Sequence, residues 1–152
     1  MAKDFQKWHT LKAGIDRQDK TQLFRAQEIW WCSLGANVGV ETDGKDDLFQ
    51  RPVLVFRKFN QDMFWGFPIT SKPKKHKPFY FLFSLNGLEQ IAVLSQMRVL
   101  SSKRLIRRVG KLGNAEFREL NGAFLKFIQK TDPLRGPRVP NGNNTHYATP
   151  DL

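Results

Sequence analysis

Side chains able to act on a bond in water gather at a few points of this sequence. Glu41 and Lys45 stand in a Gly- and Asp-rich stretch, Arg51 directly precedes Pro52, and Thr70-Ser71 follows an apolar run. An arginine guanidinium offers a planar fork of donors to phosphate or carboxylate oxygens, a hydroxyl donates to the same kind of oxygen, and a carboxylate can accept a proton. Taken singly these are also ordinary loop and strand-end residues, and Glu41 fits an ion pair with Lys45 or Arg51 equally well. A second concentration is the run Ser71-Lys72-Pro73-Lys74-Lys75-His76-Lys77-Pro78, with four lysines, three of them between Pro73 and Pro78. It reads either as a solvated charge run or as a surface for a polyanion.

Several chemistries find no support in the pattern. There is no His-x-x-x-His or clustered Cys/His spacing for zinc, no phosphate-binding P-loop, no Gly-x-Ser-x-Gly elbow and no dinucleotide fingerprint. No metal site and no cofactor are expected. The three histidines, His9, His76 and His146, are too scattered for a two-histidine acid/base pair. Cys32, the single cysteine, sits in an apolar run and reads as a packing residue.

The 152 residues suit one domain with short extensions. Lys and Arg number 25 against 14 Asp and Glu, a formal charge of +11, which favours nucleic acid, an acidic protein or an anionic membrane surface as partner. The apolar runs, such as Phe79 to Phe83, fall far short of the roughly 20 residues a spanning helix needs, so no membrane partner is expected. The N-terminus carries no signal-peptide core, and a cytoplasmic location follows as the expectation.

The elements that must position these residues can be read from hydrophobic periodicity. Phe5, Trp8, Leu11 and Ile15 recur at helical spacing, in an N-terminal helical extension assigned to residues 1–25. Glu28 to Leu34, Pro52 to Phe59, Met63 to Ile69 and Phe79 to Leu85 read as strands, with a polar loop over 36–50 and the basic loop before Phe79. Residues 91 to 100 alternate as one further strand, which would put Gln96 and Arg98 on a common face. Asn114 is placed to cap a helix with Glu116 in its first turn and Phe117, Leu120, Phe124, Phe127 and Ile128 as its apolar stripe. That helix is expected to pack on the sheet or on a second subunit. Residues 131–152, rich in Pro, Gly and Asn, read as a flexible tail. Short, closely spaced strands with a helix near each end predict a mainly β fold with flanking helices, a partly open SH3-like barrel over residues 26–130.

The runs Glu28-Ile29-Trp30-Trp31, Leu34-Gly35-Ala36-Asn37-Val38-Gly39-Val40-Glu41, Phe49-Gln50-Arg51-Pro52-Val53-Leu54-Val55, Phe59-Asn60, Pro68-Ile69-Thr70-Ser71 and Leu94-Ser95-Gln96-Met97-Arg98 stand in one order, and Ser102-Lys103-Arg104-Leu105 continues the pattern. Across roughly residues 27 to 128 this order resembles the MazF/PemK family of toxin endoribonucleases. The loop between Glu41 and Arg51 is longer than in the compact family pattern, and Gln27-Glu28 stands where Gly-Asp or Gly-Glu is usual.

The resemblance implies a dimeric barrel of MazF/CcdB-like type that cleaves single-stranded RNA within a short sequence and is neutralised by a cognate antitoxin. It points to Arg51 and Thr70 as the catalytic pair. Attack of the RNA's own 2′-OH needs no metal, and Arg51 is better suited to hold charge than to take a proton, since a guanidinium gives up its proton only with great reluctance. Glu41 is then the candidate base and His76 a weaker candidate acid. Ser71, Lys72, Lys74, Lys75, Lys77, Lys45, Gln96 and Arg98 would follow the RNA strand, with Phe or Trp side chains available for stacking. The basic residues Arg98, Lys103, Arg104, Arg107, Arg108 and Lys111 also suit dimer or antitoxin contacts.

Two other readings share the barrel. A non-enzymatic gyrase poison of the CcdB type would end in Trp-Gly-Ile, whereas this chain ends Thr149-Pro150-Asp151-Leu152. A plain nucleic-acid-binding barrel explains the charge but not the placement of Arg51 and Thr70.

Overall fold

A computed structural model of the chain describes residues 3–19, 22–71 and 78–130. Helix α1 (Phe5–Asp16) is followed by strands β1 (Glu28–Ser33), β2 (Gln50–Lys58), β3 (Met63–Thr70), β4 (Tyr80–Leu85), β5 (Leu88–Val93), β6 (Arg98–Ser101) and β7 (Leu105–Lys111), and then by helix α2 (Asn114–Gln129). All pairings are antiparallel. The sheet runs β4-β5-β3-β2-β1-β7, and β6 also pairs with β3. A single-turn 3₁₀ helix, Ser102–Arg104, carries the chain from β6 on β3 to β7 on β1. The sheet thereby curls into the expected partly open barrel.

Alternation along the strands buries both faces. On one, Ile29, Leu54, Phe67, Ile69 and Ala92 pack beneath Leu120 and Phe124 of α2. Phe56 joins them, its ring 4.9 Å from Phe67 and 5.3 Å from Phe124. Trp30, Cys32, Leu34, Val53, Val55, Phe64, Leu100 and Leu105 fill the other side with Phe24. Burying each such aliphatic or aromatic side chain contributes about 1.5–3 kcal/mol. The C-terminal helix therefore packs on the chain's own sheet. Ile128, assigned to its stripe, remains exposed.

Two local expectations are corrected and one strand is added. Residues 91–100 are not one strand, because two residues of β3 (67 and 68) face five (93–97) across the join between β5 and β6. The surplus is taken up by a 3₁₀ turn, Leu94–Gln96, anchored by Leu94 N–H donating to the Phe79 carbonyl at 2.8 Å. Leu94 goes into the core while Ser95 and Gln96 leave the sheet, so the apparent period of two conceals a bulged turn. Strand β7 was not foreseen, since Arg107, Arg108 and Lys111 break the apolar pattern on its exposed side. At α2 the cap is Gly113, whose N–H donates to Glu116 Oε2 at 3.3 Å, and Asn114 is the first helical residue.

Asn86-Gly87 joins β4 to β5 with φ of 53° and 77°, the two-residue turn that matches strand twist.

Candidate active site

Arg51 enters β2 opposite Cys32 of β1. Its side chain is half-buried, and its plane is set by two backbone acceptors. Nε donates to the Asp43 carbonyl at 2.6 Å and Nη1 to the Ile69 carbonyl at 3.3 Å. Burial pulls the guanidinium pKa down and the nearby Asp43 carboxylate opposes this. The register of β2 and β3, Val53 against Pro68 and Leu54 against Phe67, sets Arg51 across from Thr70 when continued to the strand ends.

Arg51, Thr70 and Ser71 line one open cleft of about 300 Å³ with Lys45, Gln90 and the ring of Trp31. Pro52 and the apolar side chains Leu85 and Leu88 from the β4–β5 hairpin complete its wall. Lys45 is held at the cleft edge by a backbone bridge, its N–H donating to the Gln50 carbonyl at 2.7 Å and its carbonyl accepting from Gln50 at 3.0 Å. A cationic fork, a hydroxyl pair and an indole face thus meet at the mouth of β2 and β3. Such a set can hold an anionic centre next to a planar ring.

Glu41, Gln96 and Arg98 come together elsewhere, around a neighbouring hollow shared with Ser95 and Met97. Gln96 Oε1 accepts from Thr42 N–H at 2.9 Å and Arg98 Nη1 donates to Asn37 Oδ1 at 3.4 Å. Gln96 and Arg98 do share a surface, through the 3₁₀ turn rather than through strand pleat. Glu41 Oε2 accepts from Val38 N–H at 3.3 Å, and among the described residues no ion pair joins Glu41 to Lys45 or Arg51. The two hollows are linked by Asp43, whose carbonyl serves Arg51 while its Oδ1 accepts from Asn37 N–H at 2.6 Å. Lys72, Lys74, Lys75, His76 and Lys77 lie outside the described residues, as do residues 131–152. No group of three or more His, Cys, Asp or Glu able to hold a metal gathers among the described residues.

A family model described as PemK-like, MazF-like toxin of type II toxin–antitoxin systems matches residues 25–128. The chain belongs to that family. Solved structures with the PemK/MazF-like fold of this chain include MazF from Deinococcus radiodurans, with 20% identity, a TM-score of 0.58, and coverage of 72% of this chain and 98% of that one. An endoribonuclease from a mycobacterial species, in complex with its cognate antitoxin, superposes with a TM-score of 0.53 at 12% identity over 73% of this chain and 100% of that one. At such identities these likenesses speak to the fold. A comparison with curated protein sequences finds no match. Helix α1 precedes the residues that the PemK/MazF-like model matches. No helix among the described residues is long and apolar enough to cross a membrane.

Sequence reasoning passed over the residues that hold Arg51 in place. Asp43 acts through its main-chain carbonyl, which no side-chain pattern announces. Trp31 reads as packing, yet it forms a cleft wall under Arg107, whose guanidinium lies 5.5 Å from the ring centre. Of the basic residues between 98 and 111, several have partners within the chain. Lys103 donates to the Asp16 carbonyl at 2.6 Å, Arg104 to the Ser33 carbonyl at 2.8 Å, and Arg108 pairs with Glu28 at 3.1 Å.

Proposed function

We propose that this toxin is an endoribonuclease that cleaves single-stranded RNA, mRNA included, at a short sequence without a metal ion, and that Arg51 and Thr70 are its catalytic residues. The observation that carries the reading is their convergence, from β2 and β3, on one cleft in a chain of the PemK/MazF family. In the reaction the 2′-oxygen bonds to the adjacent phosphorus and the P–O5′ bond breaks, leaving a 2′,3′-cyclic phosphate and a 5′-OH. One proton leaves the 2′-OH and one reaches O5′.

The role for this chain is electrostatic. Arg51, oriented by two carbonyls, meets the extra negative charge on the phosphoryl oxygens, and Thr70 and Ser71 donate hydroxyl hydrogen bonds at the same centre. Trp31 offers a face on which a flanking base stacks. The strand then runs past Lys45 and over the hollow of Gln96 and Arg98, with Lys72, Lys74, Lys75 and Lys77 adding charge. Glu41 remains the proposed base for the 2′-OH. Because it lines the neighbouring hollow, that role requires the scissile phosphate to bridge both hollows. The working form is a homodimer in the cytoplasm, and an antitoxin segment of acidic or apolar character neutralises it by covering the basic surface.

The test is incubation of the purified protein in EDTA with a long mixed-sequence RNA, mapping all fragment 5′ ends beside an Arg51→Ala control. Recurrent cuts at one short motif that vanish in the control support the reading. Intact RNA, or cutting that survives Arg51→Ala, overturns it.

A further inference from the structure

We propose that helix α1 is a latch on the β1–β2 loop and that Lys3 is a positioning residue for Arg51. The proposal rests on the assignment of Arg51 to catalysis and adds an element outside the part of the chain that the family model matches.

The loop leaving β1 is long and polar, and its own backbone bonds, Leu34 and Gly35 N–H to the Phe49 carbonyl, Gly44 N–H to the Gly35 carbonyl and the Lys45–Gln50 bridge, tie its two arms together. Three contacts from the N-terminal segment fasten this loop to α1 and the residues before it. Trp8, 8% exposed, packs on Ala36 and on Phe49, with ring centres 5.6 Å apart, so both ends of the loop grip one indole. Gly35 permits this approach, because a Cβ there would stand 2.2 Å from Trp8 Cε2. Lys7 pairs with Asp47 at 2.6 Å. Lys3 reaches the middle of the loop, where its ammonium donates to the carbonyls of Asn37 at 2.6 Å and Gly39 at 3.2 Å and pairs with Asp43 Oδ2 at 2.9 Å.

Asp43 is where the latch meets the cleft. One carboxylate oxygen takes Lys3, the other takes Asn37 N–H, and the main-chain carbonyl takes Arg51 Nε. The peptide that carries this carbonyl is also tied through its N–H, on Gly44, to the Gly35 carbonyl at 2.8 Å, so Gly35 and the two carboxylate partners together set its plane, and the guanidinium inherits that orientation. Removal of Lys3 leaves Asp43 with Asn37 and the Gly44–Gly35 bond alone, and lets the residue shift about that bond. A shift of about 1 Å in a charge-stabilising group is enough to lose up to about 10²-fold in rate.

The test compares wild type, Lys3→Met and Lys3→Arg as full chains by single-substrate RNA cleavage, by thermal unfolding, and by solvent exchange of the Arg51 Nε–H in NMR. Lys3→Met is expected to lower kcat by about tenfold with KM changed less than about twofold, to leave unfolding close to wild type, and to speed Nε–H exchange, while Lys3→Arg restores both. Unchanged kcat and unchanged exchange in Lys3→Met overturn the latch, as does a change confined to KM. If the wild type cuts no RNA, the endoribonuclease reading fails by itself. The exchange rate then decides the latch alone, accelerated exchange supporting it and wild-type exchange refuting it. Should Lys3→Met not fold, Asp43→Asn, which keeps an acceptor for Asn37 but removes the ion pair, is read by the same criteria.

Discussion

Arg51 Nε donates to the carbonyl of Asp43 at 2.6 Å, so a residue at the start of β2 is oriented by the loop that precedes it in the chain. With Nη1 on the Ile69 carbonyl, the guanidinium is fixed to both sides of the cleft mouth.

That double anchorage predicts that charge alone is not sufficient. Lys in place of Arg51 keeps the cation but cannot span two carbonyls with a planar fork. Arg51→Lys should lower cleavage by about 10²- to 10³-fold, close to Arg51→Ala, while RNA binding changes much less. Single-turnover cleavage beside binding of an all-2′-deoxy analogue separates the two. Wild-type turnover in Arg51→Lys would reduce Arg51 to a diffuse charge.

Gly35 has φ of +94° and supports the Trp8 indole. Gly35→Ala should cost about 1–3 kcal/mol from backbone strain and in addition push Trp8 off its seat. A lowered Tm with earlier proteolysis ahead of residue 25 is the expected result, and an unchanged digestion pattern would mean that α1 does not depend on this contact.

Glu28 is buried at the start of β1. Burial pushes its carboxyl pKa up, but donors from Arg25 N–H at 2.9 Å, Trp30 Nε1 at 3.0 Å and Arg108 at 3.1 Å outweigh that and hold it below the ordinary value of 4.5. A carboxylate depressed in the folded state stabilises the protein above its unfolded pKa, and this contribution is lost as pH falls through the lower folded value. Glu28→Gln should therefore be destabilised by about 1–3 kcal/mol near neutral pH, chiefly at the buried acceptor, because Arg108 is more than half exposed. The gap in urea midpoints between wild type and Glu28→Gln should close on going from about pH 7 to about pH 3. A gap independent of pH would refute the ionised form.

Cys32 is fully buried between β2 and β7, and burial pushes its thiol up to about 12 against the opposing pull of Arg104 and Arg98. Since the thiolate is the reactive form, a thiol reagent near pH 8 should label native protein only at the rate of global opening and should titrate one thiol at once in denaturant. Rapid labelling of native protein would place β1 at a frayed edge.

Much of the protein was determined by its amino-acid order. The short runs of β1 to β4, rich in aromatic and β-branched residues and set off by Gly, Pro and polar loops, read as strands, and the sheet they form buries apolar residues on both faces. The stripe of α2 likewise had to find an apolar surface. Arg51 and Thr70 stood out in the sequence as candidates because their neighbours, Pro52 and the Pro68-Ile69 run, follow the family order, and the fold brings the two candidates to one cleft. Tertiary structure decided what depends on residues far apart in the chain. The alternation over 91–100 gave no sign of its 3₁₀ turn, because the surplus of residues exists only relative to β3. Strand β7 gains its place from pairing with β1, which outweighs its own polar pattern. Glu41 and Arg51 lie ten positions apart, yet they line different hollows, since the loop turns back at Asp43 to satisfy its own backbone and side-chain donors. Lys3 reaches Asp43 across forty positions of chain, and no local signal encodes an ammonium meeting a carboxylate at that distance in sequence. Periodicity and motif order report what a residue needs from its environment, whereas the identity of the partner that meets the need is set by how the chain closes on itself.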